Sequence, residues 1–171
     1  MNGYEFYPED GSTLYEEEAW ELSEQARSLW LRLTFAGEYS ESMSPVQIQG
    51  RKYLPMFPAR DGVYTIEQVR EKFLAVFSEE FTDKTLNAAI ASKDLLEYNG
   101  NVYAAYKKNR GKTSYNSWAD HVRDDGDGKF TVVMGVSMPP DGSTVYVELP
   151  TGKNAAGKFV FTDYPYWDRS E

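Results

Sequence analysis

An α+β fold, with helices gathered first and an antiparallel sheet after them, is what this sequence predicts. Two changes along the chain carry that prediction. In three segments between Thr13 and about residue 91, apolar side chains recur at the three- and four-residue spacing of amphipathic helices. From Leu95 onward the period falls towards two, and short turns rich in Gly, Asn and Asp separate the runs. Composition agrees: apolar residues make up 41% and aromatics 15% of 171 residues, enough to build a core. The expected arrangement is about three helices packed on a curved antiparallel sheet of about five or six strands. Residues 1–12 read as an extended acidic and aromatic tail, and residues 13–171 as a single domain.

The elements follow in order. Thr13 and Glu16 have capping-box spacing and predict a helix running to about Phe35. Ala19, Leu22, Ala26, Leu29, Trp30 and Leu33 share its inner face, while Glu17, Glu21, Glu24, Ser28 and Arg32 lie opposite. Trp20, Leu31 and Phe35 fall on a flank, to be covered by Tyr4, Phe6 and Tyr7 of the tail or by a partner. Residues 37–47 read as a loop. Val46 to Leu54 alternates briefly around Gly50, and Pro55 and Pro58 stop a regular strand. Thr65 and Gln68 form a second capping box ahead of Ile66, Val69 and Phe73. Thr82 or Asp83 is the expected cap of a third helix with Leu86, Ala89 and Ile90 inside. Asn99-Gly100 between two apolar runs is a hairpin signal, because both positions of a tight turn need positive φ. Strands are then expected around Trp118–Arg123, Phe130–Val136, Thr144–Leu149 and Phe159–Tyr164.

Charge and motif content narrow the chemistry. The net charge is −9, of which residues 1–41 carry ten acids against Arg27 and Arg32, a net of −8. Nucleic acid is not an expected partner of so acidic a chain, since phosphate binding needs a basic face. The acidic segment reads as a solvated helix face or as a feature that steers the protein to a basic partner. There is no cysteine, which removes disulfides, thiolate nucleophiles and thiolate metal sites. With one histidine, His121, a zinc site would have to rely on carboxylates. No apolar run reaches the length of a membrane span. Met1-Asn2-Gly3-Tyr4-Glu5 has no leader character, although a chain whose leader had been removed would read the same.

No catalytic motif is present: no phosphate loop, dinucleotide fingerprint or Gly-x-Ser-x-Gly elbow. Asp120 and His121 are the groups suited to acid–base work, but neighbours on a regular strand face opposite ways and are not expected to pair. The run Asp124-Asp125-Gly126-Asp127-Gly128 fails the calcium-loop pattern, having Lys129 at the fifth position and Met138 at the twelfth, and reads as a hairpin turn. The basic stretch Lys107–Lys112 reads as a solvated turn, with pairing to the acidic helix as the alternative. No cofactor is expected.

From Gly50 onward, about 120 residues resemble one family. The features that carry the likeness are Gly50-Arg51-Lys52-Tyr53-Leu54-Pro55, Phe77-Ser78-Glu79-Glu80-Phe81-Thr82, the hairpin Leu96 to Tyr103 across Asn99-Gly100, the turn Asn109-Arg110-Gly111, and Trp118 ahead of a sheet. These are similar to the IseA family of secreted bacterial inhibitors of DL-endopeptidases, which cut peptidoglycan stem peptides. The resemblance implies a non-catalytic, extracellular or cell-envelope binding protein whose partner is an endopeptidase of the NlpC/P60 class. On this reading Asn109, Arg110, Gly111, Asp124, Asp125 and Asp127 are the candidate contact residues. The closing stretch Phe161 to Trp167 also looks like the last strand of cystatin-like or dehydratase-like cones. That likeness leaves open a small-molecule-binding or lyase/isomerase cone, with Tyr103, Asp120, His121 and Tyr146 as its pocket, or an accessory domain of a lipoprotein.

Overall fold

The computed structural model describes residues 11–34, 44–106, 116–138 and 142–164. The fold is α+β, with three α-helices among the described residues and two four-stranded antiparallel sheets. The tail residues Tyr4, Phe6 and Tyr7, the helix-end residue Phe35 and the basic stretch Lys107–Lys112 lie outside the described residues.

Helix α1 spans Glu16–Thr34, and the inner face predicted for it is buried at Ala19, Leu22, Ala26, Leu29 and Leu33, with Trp30 packed alongside. It begins two residues later than the Thr13–Glu16 box predicts, because the Tyr15 carbonyl takes the first helical bond, from Ala19 N–H at 2.9 Å. Leu14 explains the shift. It precedes the cap and joins Ala19 in the core, the two positions that make a hydrophobic staple. Glu16, Glu17 and Glu18 then occupy the first turn, where the helix dipole favours acids. Arg32, expected on the solvent face, instead lies over the Phe57 ring at 5.0 Å and donates to the Met56 carbonyl at 3.2 Å. Leu31 is buried and Trp20 is exposed.

Helix α2, Ile66–Leu74, opens with the predicted box. Gln68 N–H donates to Thr65 Oγ1 at 3.1 Å, and Thr65 N–H donates to Gln68 Oε1 at 3.2 Å. Helix α3, Glu79–Ala91, is capped by Ser78 rather than by Thr82 or Asp83: Ser78 Oγ accepts from Phe81 N–H at 3.2 Å. The other two are committed elsewhere, Thr82 turned fully into the interior and Asp83 paired with Arg70 at 2.8 Å. Leu86 and Ala89 are inside, but Ile90 is 39% exposed.

The first sheet runs β1 (Val46–Ile48), β2 (Arg51–Pro55), β4 (Asn101–Ala105), β3 (Leu95–Tyr98) in space. Asn99 and Gly100 have φ of 48° and 75°, as the predicted hairpin requires. The second runs β5 (Asn116–Gly126), β6 (Lys129–Met138), β7 (Ser143–Lys153), β8 (Phe159–Phe161). Two sheets form because β4 is flanked by β2 and β3 and has no free edge for β5. Helix α1 packs against both β4 and β5, so a single core spans the two sheets.

Phe77 and Phe161 tie the helical half to the C-terminal sheet. Ser78 N–H donates to the Phe161 carbonyl, and Phe161 N–H donates to the Val76 carbonyl, both at 2.8 Å. Both phenylalanines are fully buried.

Candidate functional site on the outer face of the C-terminal sheet

Strand β6 is apolar on both faces. Phe130, Val132, Met134 and Val136 enter the core, while Thr131, Val133 and Gly135 alternate to the other side. Its ladder partners define that outer face: Trp118, His121 and Arg123 from β5, Tyr146 and Glu148 from β7. Val133 is covered between them, leaving a polar and aromatic surface on a packed floor.

Asp120 and His121 do pair, contrary to the expectation for a regular strand. The register steps from Ala119–Met134 to His121–Val133, which makes Asp120 the extra residue of a β-bulge. A bulge breaks the alternation of side chains. Asp120 Oδ2 therefore stands 2.8 Å from His121 Nδ1, and its other oxygen, Oδ1, accepts from Trp118 Nε1 at 3.4 Å. Hydrogen bonds from His121 and then Trp118 hold the Asp120 carboxyl below its usual range. The pair is open to solvent, with side chains 50% and 37% exposed for His121 and Asp120.

Trp118 is the residue that sequence reasoning placed but gave no site role. Its indole lies across the backbone of Gly135, in the space any side chain there would fill. The signal was readable: a glycine inside the run Phe130–Val136 marks a close approach.

Arg123 is held between two acids, donating to Asp125 at 2.7 Å and to Glu148. Asp125 also accepts from Thr131 Oγ1 at 2.5 Å. Asp124 accepts from Gly126 N–H at 2.9 Å. The acidic run is therefore mostly strand. The turn itself is Asp127-Gly128, with φ of 55° and 73°, and of the three acids only Asp127 has no partner among the described residues. Lys129 and Phe130 lie beyond the last β6–β7 pair, Thr131–Pro150, but β7 runs on beside them, and Thr151 Oγ1 donates to the Phe130 carbonyl at 2.6 Å.

The four residues offered as a pocket are not brought together. Asp120, His121 and Tyr146 share the outer face, but Tyr103 belongs to the first sheet, where it packs by Leu96, Tyr53 and Ala105. Tyr146 is 60% exposed, as suits a surface rather than a cavity wall. A groove of about 340 Å³ lies elsewhere, between Ile48, Ile66, Ile90, Leu96 and Tyr98. Asn109, Arg110 and Gly111 lie outside the described residues. No three His, Asp or Glu side chains converge as metal donors among the described residues, and no helix among them is long and apolar enough to cross a membrane.

The paired carboxylates predict acid sensitivity. Asp83 is lowered from its usual 3.8 by its bond to Arg70, and Asp125 by its bonds to Thr131 and Arg123. A carboxyl depressed in the folded state adds stability above its unfolded pKa and loses it as pH falls through the folded value. Stability is thus expected to hold above about pH 5 and to fall below about pH 4. Asp83→Asn should flatten that fall in urea denaturation measured from pH 6 to pH 2; an unchanged slope would remove the Arg70 pair as a contributor.

Comparison with protein-family models gives no match, and no curated protein matches the chain significantly.

Proposed function

We propose that this chain is a non-catalytic binding protein of the cell envelope that inhibits a peptidoglycan DL-endopeptidase of the NlpC/P60 class by occupying its substrate groove. The resemblance from Gly50 onward supplies the partner. The observation that carries the mode of binding is the β5–β6 tip, an exposed two-residue turn with the Asp127 carboxylate unpartnered among the described residues. A turn braced by Arg123, Asp125 and Thr131 can engage a groove with little ordering cost. Glu17, Glu18, Glu21 and Glu24, all exposed on α1, assist encounter with a basic enzyme surface.

The tip is tested by charge reversal. Asp127→Arg should weaken inhibition of a susceptible endopeptidase roughly ten-fold or more. Asn tolerates the same positive φ, so Asp127→Asn should give a smaller loss from charge removal alone. Inhibition unchanged in both variants would rule out the tip as the contact.

A further inference from the structure

Two aromatic rings on the outer face are left unused by the endopeptidase reading. Trp118 and Tyr146 are both ladder partners of Gly135, one from each neighbouring strand. The indole is fixed from beneath by the Gly135 backbone and from the side by Asp120. Tyr146 is 60% exposed and has no hydrogen-bond or ring partner among the described residues. Two strand spacings separate their backbone positions, about 9.6 Å. Single exposed rings are ordinary, but an exposed Tyr146 in one row with a half-buried, seated Trp118 makes a built platform.

We propose that this row is a carbohydrate site, taking a neutral, flat chain of β-1,4-linked pyranoses that stacks on Trp118 and Tyr146. A pyranose ring presents an apolar C–H face, which suits an aromatic surface, and a rim of hydroxyls, which suits Asp120, His121 and Glu148 beside the rings. The row runs across the strands, so one extended β-1,4 chain laid along it meets both rings. Charge selects the same class. Asp120, Asp125 and Glu148 outnumber Arg123, which is already bound to two of them, so the face repels phosphates and uronates. The assignment does not depend on endopeptidase inhibition and survives its failure.

The test titrates the full chain with cellohexaose, chitohexaose and maltohexaose by calorimetry. Binding of either flat hexasaccharide, at least ten-fold tighter than the coiled maltohexaose, is the expected result. Tyr146→Ala, at an exposed position, should weaken that binding roughly ten-fold without loss of stability. Trp118→Ala should abolish it. Equal affinity for all three sugars, no binding of either flat one, or affinity within two-fold of the parent in Tyr146→Ala would each overturn the proposal.

Discussion

Replacing Phe77 with alanine is expected to lower the unfolding free energy by about 3–5 kcal/mol, the largest single-site loss in the domain. Phe77 is fully buried where three parts of the chain meet. Its ring lies 5.5 Å from Phe73 of α2, 4.9 Å from Phe81 of α3 and 5.6 Å from Tyr164 beyond β8. Its backbone sits beside Phe161 in a parallel bridge, so the surroundings cannot easily collapse into the space left behind. A loss of this size is a large part of the roughly 5–15 kcal/mol that a domain has. Urea denaturation would read it as a lower midpoint at unchanged slope. A loss under about 1 kcal/mol would mean that the phenylalanine junction does not couple the helices to the C-terminal sheet.

The second large effect is expected at Gly135. A methyl group added there overlaps Cε2, Cζ2 and Nε1 of Trp118, so the indole has to leave its seat on the strand. Gly135→Ala should cost about 1–3 kcal/mol, the usual range for overpacking, and should shift the Trp118 fluorescence towards that of a solvated indole. The clash belongs to the pair, so the double variant Trp118→Ala/Gly135→Ala should be less destabilised than the two single losses added together. Additive losses would show that Gly135 matters for some reason other than the indole above it.

Much of this architecture was legible because local signals agreed with one another. The Thr65–Gln68 box, the Asn99-Gly100 turn and the α1 stripe from Ala19 to Leu33 each rest on side chains that act within a few residues of their own position. Where the reading differed, long-range contacts had won. Leu14 is drawn into the core and moves the start of α1, and Asp83 is taken by Arg70, leaving Ser78 to cap α3. The division into two sheets depended on β2 occupying the free edge of β4, a pairing across about fifty residues that no local pattern records.

The candidate site was less legible for a similar reason. One bulged residue, Asp120, turns a pair that alternation would separate into a hydrogen-bonded one. Bulges leave little mark in a sequence. The run Asp124–Gly128 read as one loop, yet Asp124 and Asp125 are spent on the strand, and only the partners Gly126, Arg123 and Thr131 reveal it. Tyr103 and Tyr146 looked alike along the chain, but strand pairing sent them to different sheets.

The measurement that bears most directly on the proposed function is a titration of the purified protein into an NlpC/P60 DL-endopeptidase while the turbidity of cell walls is followed. A saturable block, complete near one inhibitor per enzyme, is the expected result. Undiminished hydrolysis by several such enzymes at a large excess of the protein would contradict it.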